Sequence, residues 1–184
     1  MGNFVVIDTE TTWTDTVMSI GLVIADEACQ VLDSRYYLID PAYRQDAMYS
    51  GALFLDGQPK PLVGSRRACM QDILKWLHEY DVCAIFAYNA RFDCKHLPEL
   101  SCCSWYDIMR LAAYRQYNES IRHLECCKTG RLKHSYGVVS ILRLLSGNRA
   151  YCEKHNGWFD AMDELKIMQL LGQPLSAYEI AKIQ

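Results

Sequence analysis

Phe4-Val5-Val6-Ile7-Asp8-Thr9-Glu10 is an apolar run that ends in two acids. Its length and branched residues read as a buried strand. Side chains alternate along a strand, so Asp8 and Glu10 leave the same face and converge, with Val6 beside them. Val5, Ile7 and Thr9 point the other way. Two carboxylates held together are costly without a cation. Hard divalent ions take oxygen ligands of this kind. Alone, Asp-x-Glu is more often the accidental end of a polar strand, so the rest of the chain must supply matching groups.

Outward from this strand, Met18 to Ala25 and Val31 to Ile39 read as two more strands with short connections, an antiparallel meander. Residues 42–65 carry three glycines and two prolines and read as a surface excursion with a helical turn near Asp46 to Leu53. Met70, Ile73, Leu74 and Leu77 have helical spacing, predicting a helix over 67–80. Val82 to Tyr88 is a buried strand. The strand–helix–strand crossover requires that it pair in parallel with an earlier strand. A second helix opens at Asn89 and is limited by Pro98. Trp105 to Tyr117 is strand-then-helix or all helix, and 118–135 is polar and unassigned. Val138 to Leu145 is a helix ended by Gly147. Trp158, Ala161, Leu165, Met168 and Leu171 form a helical seam capped by Gly172. A short tail helix is expected over 175–184. The fold class is α/β with one domain over 1–184.

The chain has 184 residues, 51% of them hydrophobic, and a net charge of -3. It can bury a substantial core, and it is not a polybasic protein, so any nucleic-acid contact must be local. No run is long enough to span a bilayer and no secretory signal is visible. Met1-Gly2 lacks the Ser or Thr at position 6 that a myristoylation pattern requires. Nine cysteines, an odd number, point to reduced thiols in the cytoplasm. Cys102-Cys103 and Cys126-Cys127, with His123 close by, lack the spacer of usual zinc clips and read as ordinary thiols.

The first partner for the acidic pair is Tyr88-Asn89-Ala90-Arg91-Phe92-Asp93, where a buried strand turns into a helix, the place where open α/β sheets bind ligands. Asp93 is a third carboxylate. The plainer reading is that Asn89 caps the helix and Asp93 favours its N-terminus. The next is His155-Asn156-Gly157-Trp158-Phe159-Asp160. On one continuous helix His155 and Asp160 would stand about 140° apart. Gly157 argues for a break, with His155 on a loop and Asp160 in the first turn, both facing one site. Asp163 and Glu164 are rival carboxylates. Asp163 is expected in solvent or just outside the site.

These three motifs, Asp8-x-Glu10, Asn89-x-x-x-Asp93 and His155-x-x-x-x-Asp160, resemble those of the DEDDh family of 3′–5′ exonucleases. That family includes the proofreading epsilon subunit of bacterial DNA polymerase III and oligoribonuclease. The match runs through nearly the whole chain in the right order. It implies a ribonuclease H-like fold, with a central mixed sheet of five strands, three antiparallel and then parallel ones, flanked by helices. It implies two Mg²⁺ or Mn²⁺ ions, about 3.5–4 Å apart, held by Asp8, Glu10, Asp93 and Asp160, with His155 as general base. The expected substrate is a nucleic-acid 3′ end, single-stranded, and a polymerase would be a separate chain. Thr9, Thr11, Trp13 and Asn89 are the expected substrate contacts, with Trp13 either stacking on a base or packing against its own loop. Two departures stand out: Trp13 and a short loop where relatives have glycine and a longer one, and Tyr88 where relatives often carry histidine. Six cations against two carboxylates over 110–134 could track a phosphate backbone, though a solvated face is the preferred reading. Competing readings are a binding module that kept the fold without catalysis, and a cysteine hydrolase using Cys94.

Overall fold

The computed structural model describes residues 2–183. Six strands form one mixed sheet in the order β4-β3-β2-β1-β5-β6. The strands are β1 Phe4–Thr11, β2 Val17–Ala25, β3 Val31–Asp40, β4 Leu62–Ser65, β5 Ala84–Ala87 and β6 Ser104–Asp107. β1, β2 and β3 are antiparallel neighbours, and β5 and β6 add in parallel beside β1. Five strands were expected. The sixth, β4, pairs in parallel with β3 at the edge. It is four residues long, follows Pro61 and contains Gly64, so its only strand signal is its pairing partner.

The helices are α1 Arg66–Glu79, α2 Arg91–His96, α3 Met109–Ala112, α4 Val138–Ser146 and α5 Gly157–Leu171. Ser65 caps α1, its hydroxyl accepting from the Ala68 amide. Gly147 and Gly172 end α4 and α5 in the left-handed conformation, at φ 72° and 60°. Trp105 to Tyr117 is strand then helix. The tail is a 3-10 helix over Leu175–Ala181; Gln184 lies outside the described residues, as does Met1 of the Met1-Gly2 pattern. Among the described residues no helix is long and apolar enough to cross a membrane.

The alternation of β1 sorts the core. Val5 and Ile7 pack with Ile20, Leu22 and Ile24 against Ile73, Trp76 and Leu77 of α1. Phe4 and Val6 pack with Val23 and Phe86 against Ile141 of α4 and Ala161, Leu165 and Met168 of α5. Each fully buried large side chain contributes roughly 1.5–3 kcal/mol. Asp8 and Glu10 continue the Val6 face, toward α5. A third cluster, Met18, Tyr36, Leu38, Ala47 and Leu53, roots the 42–61 excursion onto β2 and β3.

One close approach sets the position of α5. Gly21 is the register partner of Asp8. A Cβ at Gly21 would stand 2.0 Å from the backbone carbon and oxygen of Gly157. Two glycines therefore let the first turn of α5 rest directly on the sheet where β1 delivers its acids.

Candidate active site

Asp8, Glu10, Asp93, His155 and Asp160 meet in one cleft of about 320 Å³. Thr9, Thr11, Trp13 and Asn89 also line it, together with Met48, Tyr49, Tyr88, Phe92 and Glu153. Ligand atoms of Glu10, His155 and Asp160 lie within 4.8 Å of one another, the only such group of three among the described residues. The Cys126–Cys127 and His123 segment forms no comparable group, and all nine cysteines are free.

Each acid is held by its own local device. Asp93, 3% exposed, sits in the first turn of α2. Its Oδ1 accepts from the Thr9 amide at 3.0 Å and the Thr9 hydroxyl at 2.7 Å. Thr9 thus joins the end of β1 to α2 and orients the third carboxylate. Asp160, also 3% exposed, accepts at Oδ2 from the Asn156 amide at 2.9 Å, while Asn156 Oδ1 accepts from the Phe159 amide, a reciprocal cap on α5. The side-chain Nδ2 of Asn156 shares its two hydrogens among the Ala52 carbonyl at 2.7 Å, Gln58 Oε1 at 2.9 Å and Tyr36 Oη at 3.2 Å. This buried side chain staples the start of α5 to the excursion.

His155 lies outside α5, as the glycine break suggested, in the left-handed region at φ 54°. Its ring stacks on Tyr49 with centroids 4.1 Å apart and planes 13° apart. Asn89 is left-handed too, at φ 61°. It is not the side-chain cap expected of it: α2 begins after Ala90 without one. Instead the Asn89 amide donates to Asp107 Oδ1, which also takes the Met109 amide, both at 3.0 Å. Non-glycine residues in this region are strained, and such strain gathers at functional sites.

Trp13 is 65% exposed, so it stands at the cleft rim and does not pack into its own turn. That turn is short and tied down. Asp15 Oδ2 accepts from Lys95 Nζ at 3.1 Å, and Asp15 Oδ1 lies 3.1 Å from His96 Nε2 on α2. The Lys95 hydrogen bond holds the Asp15 carboxyl below its ordinary range.

Sequence reasoning did not assign Glu164. It is buried one turn beyond Asp160 and accepts the Tyr88 amide at 3.0 Å. Its charge raises the Asp8 carboxyl more than that of Asp93, Glu10 or Asp160 does. The i+4 spacing from Asp160 was its only signal. Asp163 instead accepts from Tyr151 Oη at 2.5 Å, outside the cleft. Glu153 is a further half-buried acid in the wall, two residues before His155.

Crowding and burial push these acids upward. Burial first, then Glu164 and Asp93, raises Asp8 well above the carboxylate range. Glu10 is pushed up to about 8 by burial, Asp160 and Glu153. Burial raises Asp93 to about 7 despite the Thr9 hydrogen bonds, and burial with Glu153 raises Asp160 to about 7. Asp8 Oδ2 and Asp160 Oδ1 are buried without a partner. Unsatisfied buried carboxylate oxygens cost at least about 1–3 kcal/mol each. Oxygen-rich ligands with one imidazole, and two orphaned oxygens among them, fit a hard divalent cation. Cys94, beside Asp93, has its thiol pushed up by burial and that charge, the opposite of an activated nucleophile.

No family model and no curated protein matches the sequence. Solved structures do match in three dimensions. A structure of exonuclease I aligns over 97% of this chain at TM-score 0.66 and 16% identity, using 42% of its own length. E. coli exonuclease I in complex with a 5cy-dT13 oligonucleotide aligns over 93% at TM-score 0.62 and 16% identity, using 40% of its length. A zinc-bound complex of that enzyme with single-stranded DNA aligns over 93% at TM-score 0.63 and 14% identity. The chain spans about two fifths of the length of these relatives. It has the ribonuclease H-like fold, the architecture that its three motifs imply. The structural neighbours are exonuclease I; the likeness to the epsilon subunit and oligoribonuclease rests on motif wording.

Proposed function

We propose that this chain is a metal-dependent 3′–5′ exonuclease, one domain over 1–184, that hydrolyses phosphodiester bonds at nucleic-acid 3′ ends and releases nucleoside 5′-monophosphates. The observation that carries the reading is the convergence of Asp8, Glu10, Asp93, His155 and Asp160 in one cleft from three distant segments. A binding module that had abandoned catalysis need not keep all five.

Asp8, Glu10, Asp93 and Asp160 would hold two Mg²⁺ or Mn²⁺ ions. Bound there, such ions supply an acidified water and neutralise charge on the phosphoryl oxygens in flight. The protein's own part is positional. Thr9 fixes Asp93, Asn156 fixes Asp160, and Tyr49 holds the His155 ring plane. His155 takes the proton of the attacking water at a ring nitrogen as the water oxygen bonds to phosphorus and the P–O3′ bond breaks, the departing 3′ oxygen taking a proton from solvent to become the new 3′ hydroxyl. Trp13, with Phe92 nearby in the wall, offers an exposed ring to a base; such stacking is worth about 1–3 kcal/mol. Free thiols fit a reducing, cytoplasmic setting.

The test is a ladder assay. 5′-labelled single-stranded DNA and RNA are incubated with Mg²⁺ or Mn²⁺, with wild type and with Asp8→Asn. Stepwise shortening by wild type, at least about 10³-fold slower in the variant, is expected. Full activity of Asp8→Asn refutes the assignment.

A further inference from the structure

Outside the acidic cleft, the segment between α3 and α4 folds back on itself into a framed lobe. Tyr114 bridges Arg131 and Cys126 bridges Leu132. The Arg115 amide donates to the Gly130 carbonyl, Leu132 to Ala113, Cys127 to Arg131 and Lys133 to Glu125, all at 2.9–3.0 Å. Gln116 Nε2 donates to the Thr129 carbonyl at 2.8 Å. This frame encloses a second cleft, about 490 Å³, whose walls include Arg115, Gln116, His123, Lys128 and Gly130.

The charge of this lobe is not balanced from within. Glu125 is consumed by Arg122 at 2.6 Å. Among the described residues, Arg115, Lys128, Arg131 and Lys133 have no carboxylate within 4.0 Å. Arg115 and Lys128 are exposed. A chain of net charge -3 with a carboxylate-lined active cleft has no overall attraction for a polyanion. Attraction must come from a local positive field, and this lobe holds one on a rigid frame.

The lobe also adjoins the acidic cleft. Tyr88 lines that cleft, and its hydroxyl donates to the Tyr136 carbonyl. The Arg131 guanidinium stacks 4.4 Å above the Tyr136 ring, and its charge acts on the Tyr88 hydroxyl. Tyr88, Tyr136 and Arg131 thus form a chain of contacts from the acidic cleft to the lobe.

We propose that the 113–134 lobe binds the sugar-phosphate backbone of single-stranded nucleic acid upstream of the 3′ end, with Arg115 and Lys128 as the principal phosphate contacts. This rests on the exonuclease reading for the identity of the polyanion. The double variant Arg115→Gln/Lys128→Gln is compared with wild type by fluorescence anisotropy, in EDTA, on a labelled oligothymidylate of about 20 nucleotides, longer than one site. Affinity at low salt should fall at least about tenfold, and the slope of log K against log salt should flatten by about 1.4. With divalent metal, turnover of a dinucleotide should be unchanged. Arg115→Lys/Lys128→Arg should restore binding. Equal affinity and equal salt slope in the Gln variant overturn the proposal, and so does a charge-conserving variant that restores nothing. If wild type binds the oligonucleotide but shortens it with neither metal, the exonuclease reading fails and the backbone site stands. If wild type shortens it while the Gln variant binds as tightly, the lobe assignment alone fails.

Discussion

Replacing Gly21 by alanine adds one methyl group at the point where β2 meets the start of α5. The new Cβ would stand 2.0 Å from the Gly157 carbon and oxygen and 2.3 Å from the Trp158 nitrogen. All three are backbone atoms, so no rotamer change relieves the clash. Restoring ordinary carbon contact at about 3.5 Å means opening the interface by about 1.5 Å. Asp160 lies three residues into the displaced turn and must move with it. Overpacking strain of this kind costs about 1–3 kcal/mol, which for a chain of this size lowers Tm by about 2–12 °C. A displacement near 1 Å of a catalytic group costs about 10²-fold in rate. Differential scanning calorimetry and the ladder assay measure the two effects, and titration calorimetry should show weakened Mn²⁺ binding. Gly51→Ala, where nothing lies within 4 Å, is the control. A Gly21→Ala protein that melts and cleaves like Gly51→Ala refutes the claim that this contact positions Asp160.

His155→Ala should lose turnover by about 10²–10⁴-fold while Mn²⁺ still binds, as calorimetry would show; lost metal binding would make His155 a ligand and not the base. Raised folded-state pKa values mean the metal-free protein binds more protons folded than unfolded. Stability from Glu10, Asp93 and Asp160 is therefore full below about pH 4 and lost as pH rises through about 7 to 8. The Tm of EDTA-stripped protein should fall over that window, and Mg²⁺ or Mn²⁺ should raise Tm more at pH 8 than at pH 6. Glu164→Gln keeps an acceptor for the Tyr88 amide but removes the charge beside Asp8. It should raise metal-free Tm near pH 8 and weaken divalent binding; an unchanged melting profile and affinity would show that Glu164 carries no charge there.

The elements most legible in the sequence are those whose signal is local. Alternation in β1 placed Asp8 and Glu10 on the Val6 face, the 3,4 spacing from Trp158 marked α5, and Gly147 and Gly172 marked two helix ends. Gly157 separated His155 from the helix that carries Asp160, because a glycine there weakens helical continuity. The order of the three motifs was enough to bring five side chains together. What periodicity cannot encode is which distant backbone group a side chain will meet. Asn89 looked like a cap and became a left-handed residue pinned by Asp107. The excursion over 42–65 looked like surface loop, yet it lends Tyr49 to His155 and the Ala52 carbonyl to Asn156. β4 exists only because β3 offers it an edge. Glu164 becomes part of the site only because the Tyr88 amide, 76 positions away in the chain, needs an acceptor.

The first strand, read alone, determined that two carboxylates would point one way out of a buried sheet. Only the tertiary structure decided how closely the other acids approach them. That distance depends on two missing side chains, at Gly21 and Gly157, which let a helix start touch a strand. A contact between backbones leaves no periodic trace in either segment.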